Sequence, residues 1–273
     1  MDIYLELNKI IKSSDIELKE SSINKILDYI KLGKELSFDD NMEIETFKEP
    51  SYAPFCKIVD PRELPPRKDF DSKEGLATLV HAIAHIEYSA IDLALDAVYR
   101  YPFMPIEYKI DWLEVASDEV RHFKMLNKLL MSLDYKYGDF PVHCGLFDAS
   151  LHTQDNIIDR MAVIPRYYEA SGLDVNPQII KKLANKAKKK KVKELIDILN
   201  IIYDEEIVHV QKGDIWFRYL CDRDGYDVED KYMQILANYE LIKKHRPHLN
   251  IQARKEAGFS CKELINLGAK NCK

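Results

Sequence analysis

Four stretches of this 273-residue chain repeat apolar residues every three or four positions, and each sets a glutamate within its apolar stripe. That period marks a helix with one buried face. In the run from Ser72 to Pro102, Val80, Ile83, Ala84, Ala90, Ile91 and Ala94 share a face with Glu87. From Pro105 to about Ser132, Trp112, Val115, Ala116, Phe123 and Leu126 surround Glu119 and His122. Over residues 153–171, Ile158, Met161, Ala162 and Pro165 lead to Glu169, with a bend expected at Pro165 because proline lacks a helical donor. Over 191–221, Leu199, Ile202, Tyr203 and Val210 flank Glu206 and His209.

The remaining segments fit around these four. Residues 1–33 read as short helices, one closed by Gly33, and residues 49–69 hold five prolines and read as an extended connector. Residues 134–150 read as a loop, and "GLDVNP" separates the third long helix from a basic helix over 177–187. A last helix near 227–243 precedes an irregular tail, and no segment has the period-two pattern of a strand. The expected fold class is all-α. The expected divisions are an N-terminal helical extension (1–48), a proline-rich connector (49–71), a four-helix bundle (72–222), and a C-terminal helix and tail packed on it (223–273).

Four carboxylates on dry faces are self-defeating unless cations neutralise them. Two divalent metals, four carboxylates and two neutral imidazoles balance to zero. Residues three apart on a helix lie on adjoining azimuths, so Glu119 with His122, and Glu206 with His209, are each able to hold one ion. One glutamate from each of two helices and a Glu-x-x-His from each of two others is the ligand set of di-iron carboxylate bundles. The metal candidates are therefore Glu87, Glu119, His122, Glu169, Glu206 and His209. Oxygen donors dominate the set, which suits iron, manganese or a mixed Mn/Fe pair.

The stretches "HAIAHIEYSAIDLALDAVYRYP", "DEVRH", "YGDFPVH", "YYEASGLD" and "DEEIVHV", with "PPRK" upstream and "LNIQARKEAGFS" downstream, resemble an uncharacterised ferritin-like family, a domain of unknown function (DUF455). The resemblance covers about residues 50–262 and departs at the N-terminal 45 residues and the lysine-rich run. It implies a ferritin-like antiparallel four-helix bundle with a long crossover, and the same six metal ligands. It brings no substrate with it.

Other residues carry open alternatives. His81 and His85 stand four apart on a face turned away from Glu87: a second metal pair or pocket lining, or hydrogen-bonded packing groups. Asp118 and Glu205 precede the ligand glutamates at the same offset, and either support the opposite histidine or face solvent. Tyr203, one turn before Glu206, serves the site or packs in the core; Tyr167 and Tyr168 pose the same choice. Tyr203 and His85 are the candidate catalytic side chains besides the ligands, with Asp118, Glu205 and His81 as supports. Residues 181–193 hold eight lysines, either a solvated helix end and loop or a landing site for the phosphate of RNA or of a phosphorylated metabolite. The tail "KHRPHLNIQARKEAGFS" is expected to fold back over the bundle mouth.

A net charge of −6 gives no global drive toward nucleic acid. No window is long and apolar enough for a membrane span, the start lacks a signal-peptide pattern, and five scattered cysteines read as reduced thiols, so the expected compartment is the cytoplasm. The readings that compete are a di-metal oxidase or oxygenase acting on a small molecule or a modified nucleoside of tRNA, a ferroxidase, peroxide-detoxifying or storage protein, and a non-enzymatic metal-stabilised binding protein. The electron donor and oligomeric state are left open, a homodimer being compatible with the sequence.

Overall fold

A computed structural model describes residues 2–34, 43–66, 68–242 and 249–272. Arg67 of "PPRK", Lys243 at the end of the expected last helix, and residues 244–248 of the basic tail lie outside the described residues. Among the described residues there are helices and turns but no strand; one isolated bridge pairs Ile58 with Val142. The fold is all-α. The chain divides into two compact units, Met1–Leu151 with Lys189–Ile198, and His152–Lys188 with Leu199–Lys273.

In the first unit, α1 (Ile3–Lys12) packs on α3 (Lys73–Arg100), α2 (Ile16–Lys31) on α4 (Ile106–Met131), and α3 runs along α4. Helix α3 starts where the Ser72 hydroxyl accepts the Gly75 amide, the capping role expected of serine. It is buried on most of its faces, so its charged residues need partners inside the protein. Lys19, fully buried on α2, supplies one: its Nζ lies 2.7 Å from Asp92 Oδ1 and 2.6 Å from the Ile10 carbonyl at the end of α1. Arg100 answers Asp96 one turn earlier, at 2.7 Å. The proline-rich connector is tied to the 134–144 segment by Val59 N donating to Val142 O and Val142 N to Lys57 O, both at 2.9 Å. Part of the expected 134–150 loop is helical, as α5 (Gly145–His152).

In the second unit, α6 (Ile157–Val163) passes at Pro165, where a bend was expected, into a wide π turn over Ile164–Glu169. Proline has no N–H for the carbonyl four residues back, so the ladder slips to wider spacing there. Helix α7 (Ala170–Ala184) then runs straight through "GLDVNP", where a break was expected. The reason is that Asn250 Nδ2 donates to Leu173 O at 3.2 Å, covering the carbonyl that Pro177 leaves without a helical donor. The unit is completed by α8 (Lys190–Asp224) from Leu199 onward, α9 (Val228–Asn238), and two short helices, α10 (Ile251–Glu256) and α11 (Cys261–Asn266), in the tail expected to be irregular. The cysteine reading also changes: Cys261 and Cys272 form a disulfide, while Cys56, Cys144 and Cys221 are free. Spacing alone hides this pair, because the turn after α11 brings the two Cα atoms within 5.5 Å. Among the described residues no helix is long and apolar enough to cross a membrane.

Candidate metal centre

The paired helices α3 and α4 bring three of the expected ligands together. Glu87 enters from α3, and Glu119 with His122 from one turn of α4, with Val115, Ala116, Val120 and Phe123 buried around them. His122 Nδ1 lies 3.1 Å from Glu87 Oε2 and 3.3 Å from Glu119 Oε2. The side chains of Glu87, Glu119 and His122 are 7, 1 and 0 % exposed, so solvent screens this charge very little. Burial pushes the Glu87 carboxyl up to about 7, and the charge of Glu119 adds to the push, against the pull of His122. Burial works against a charged His122, but hydrogen bonds to Glu119 and Glu87 outweigh it and carry the imidazole up to about 11. Both carboxylates therefore draw on the same imidazole.

A divalent cation would neutralise carboxylates so placed, and the donors fit one. One ligand atom from each of the three lies within 4.8 Å of the others. Donors at about 2.1 Å from an octahedral ion sit about 3–4 Å apart, so only small rotamer shifts separate this arrangement from coordination. As metal ligands the carboxylates are ionised and the imidazole neutral.

The second unit holds the other expected ligands. On α8, Glu206 Oε1 lies 3.5 Å from His209 Nδ1, with His209 buried and the Glu206 side chain 13 % exposed, repeating the Glu-x-x-His turn of α4. Glu169 closes the π turn and has one carboxylate oxygen buried.

The other candidates take these places. His85 Nε2 donates to the His143 carbonyl and its Nδ1 accepts the Tyr137 hydroxyl, both at 2.8 Å; His81 Nε2 accepts the Gly138 amide at 2.9 Å. The two histidines therefore fasten the 137–143 segment to α3. The Tyr203 hydroxyl accepts from Asn250 Nδ2 at 2.7 Å. Asp118 accepts from Arg121 at 2.9 Å, and Glu205 is half-buried. Tyr167 is buried and meets Tyr168 edge-to-face at 5.2 Å. In the lysine-rich run, Lys189, Lys191 and Lys193 are paired with Asp71, Glu194 and Asp197. Sequence reasoning passed over Arg166, Asp214 and Glu263, a buried ion-pair group beside the π turn. Their one sequence signal is a charged residue at an otherwise apolar helical position.

The family model described as "Protein of unknown function (DUF455)" matches residues 12–265. The match starts well before residue 45, so α2 belongs to it and the expected N-terminal departure does not hold. An uncharacterised protein of Haemophilus influenzae is 38% identical over 214 residues, covering 76% of this chain and 72% of that protein. No solved structure matches the chain significantly. With a family model spanning nearly its whole length and a relative matched over most of both chains, the protein belongs to the DUF455 family.

Proposed function

We propose that the chain is a ferritin-like di-metal oxidoreductase that uses O₂ to oxidise or hydroxylate a small organic molecule or a modified nucleoside, with electrons from a separate donor. The buried Glu87–His122–Glu119 group carries the reading, since it gathers two carboxylates and an imidazole, away from solvent, with donor atoms within 4.8 Å of one another. In this reading Glu169, Glu206 and His209 complete a six-ligand set for two ions. Its support is the repetition on α8 of the Glu-x-x-His turn seen on α4. When bound, an iron or manganese pair supplies the one-electron chemistry toward O₂ that these side chains lack. The protein's share is positional. The carboxylates hold the charge of the ions, His122 and His209 give neutral nitrogen donors, and Val115, Ala116 and Phe123 keep water from the α4 wall.

The test is metal analysis of anaerobically purified protein supplied with Fe(II), together with O₂ uptake. The wild-type chain is expected to hold about two ions. Glu119→Ala and Glu206→Ala are each expected to lower that content and slow O₂ uptake by about a hundredfold or more. Unchanged metal content in both variants rules the reading out. Uptake of O₂ that consumes only excess Fe(II), with no organic substrate oxidised, would replace the oxygenase by a ferroxidase.

A further inference from the structure

The π turn that ends at Glu169 is gripped from three sides. Arg166, within the turn, is fully buried; its Nη2 lies 2.8 Å from Asp214 Oδ1 on α8 and 2.5 Å from Glu263 Oε1 on α11. Its guanidinium carbon sits 4.6, 4.2 and 4.7 Å from the ring centres of Phe217, Tyr232 and Phe259, and Nε and Nη1 carry no hydrogen bond among the described residues. Arg218 joins the same carboxylates, at 2.6 Å from Asp214 Oδ2 and 3.1 Å from Glu263 Oε2. Two arginines and two acids make the group neutral. The Tyr232 hydroxyl on α9 donates to the Arg166 carbonyl at 2.9 Å.

We infer that the C-terminal segment is a working part of the metal centre, with Glu263 and Asp214 as positioning residues. They lock Arg166, and Arg166 fixes the π turn that presents the Glu169 carboxylate three residues later. The inference rests on the metal reading above. The turn has lost regular helical hydrogen bonds at Pro165, so its shape depends on outside contacts, and these are the buried charged ones. A guanidinium locked by two carboxylates and three rings has one available position, which is what a ligand support requires. Glu263 is suited to this by its own setting. It closes a capping box with Ser260 at the start of α11, so its carboxylate is oriented before it meets Arg166.

The test uses the full chain titrated with Co(II), whose visible absorption reports ligand geometry, beside thermal unfolding. Glu263→Gln keeps size and capping but removes one carboxylate charge from Arg166. It is expected to weaken Co(II) binding by about tenfold or more and to shift the visible band. Tyr232→Phe keeps every charge and loses only the bond to the Arg166 carbonyl, so it serves if Glu263→Gln does not fold; its expected effect is a smaller loss of affinity with a band shift of the same sign. A variant that unfolds at lower temperature with affinity and band unchanged has lost only a structural contact, and overturns the inference while leaving the metal reading intact. A wild-type chain that binds no Co(II) overturns both.

Discussion

His81 is a base kept neutral by its surroundings. Burial pushes its imidazole down to about 4, against the weaker pull of Asp139, and its Nε2 must stay unprotonated to accept the Gly138 amide. In the unfolded chain the ring titrates near its ordinary value of about 6.5. Between those values the unfolded state binds the extra proton, so stability is full above about pH 6.5 and is lost as pH falls toward 4. At pH 5 the loss amounts to about 2 kcal/mol. His81→Gln keeps an acceptor near Nε2 without the titration. Urea unfolding at pH 7.5 and pH 5 should therefore show wild type losing about 2 kcal/mol more than the variant, and equal losses would refute the assignment. At this scale the sequence made the glutamates legible, since a charged residue amid an apolar stripe is visible by period alone. The jobs of His81 and His85 were not, because their partners lie on a segment that only the folded chain brings to α3.

Helices α3, α4 and α8 start and stop within about three residues of their sequence reading, for they have long unbroken stripes and α3 has a serine cap. The third long helix was misread at Pro177, where it continues instead of ending. Pro177 is tolerated because Asn250, far along the chain, caps the carbonyl it orphans, and Pro165 opens a π turn that the sequence reading did not include. Long-range compensation of this kind leaves no local signal. It has a counterpart on α8: a Cβ on Gly213 would lie 2.2 Å from Pro165 Cβ and 2.5 Å from its Cγ. Helix propensity alone says that Gly213→Ala should stabilise α8 by about 1 kcal/mol. The contact says the opposite, because one of two packed backbones must move, at a cost of about 1–3 kcal/mol or more. The sign of the change in urea midpoint decides between them, and a stabilised variant would mean that the π turn does not sit against Gly213.

For the whole molecule, the tail is where sequence reading was least informed, since its helices are short and its partners distant. Within the second unit its anchors are polar and buried. Asn250 bridges Leu173 O and Tyr203, Arg254 is fully buried and pairs with Asp174 at 2.6 Å, and Glu263 joins Arg166. Removing one partner of such a pair leaves the other charge buried and uncompensated, which costs about 3–5 kcal/mol. A chain ending before Asn250 loses several of these contacts at once, a deficit comparable to the stability of a domain. None of those contacts reaches α3 or α4, whose buried charges find partners such as Lys19 and Arg100 in their own unit. Hydrogen exchange on the truncated protein should therefore show amides of residues 157–184 and 228–238 exchanging freely while those of α3 and α4 stay protected. Uniform loss of protection across both units would show that the chain unfolds as one cooperative body, and that the tail supports all of it.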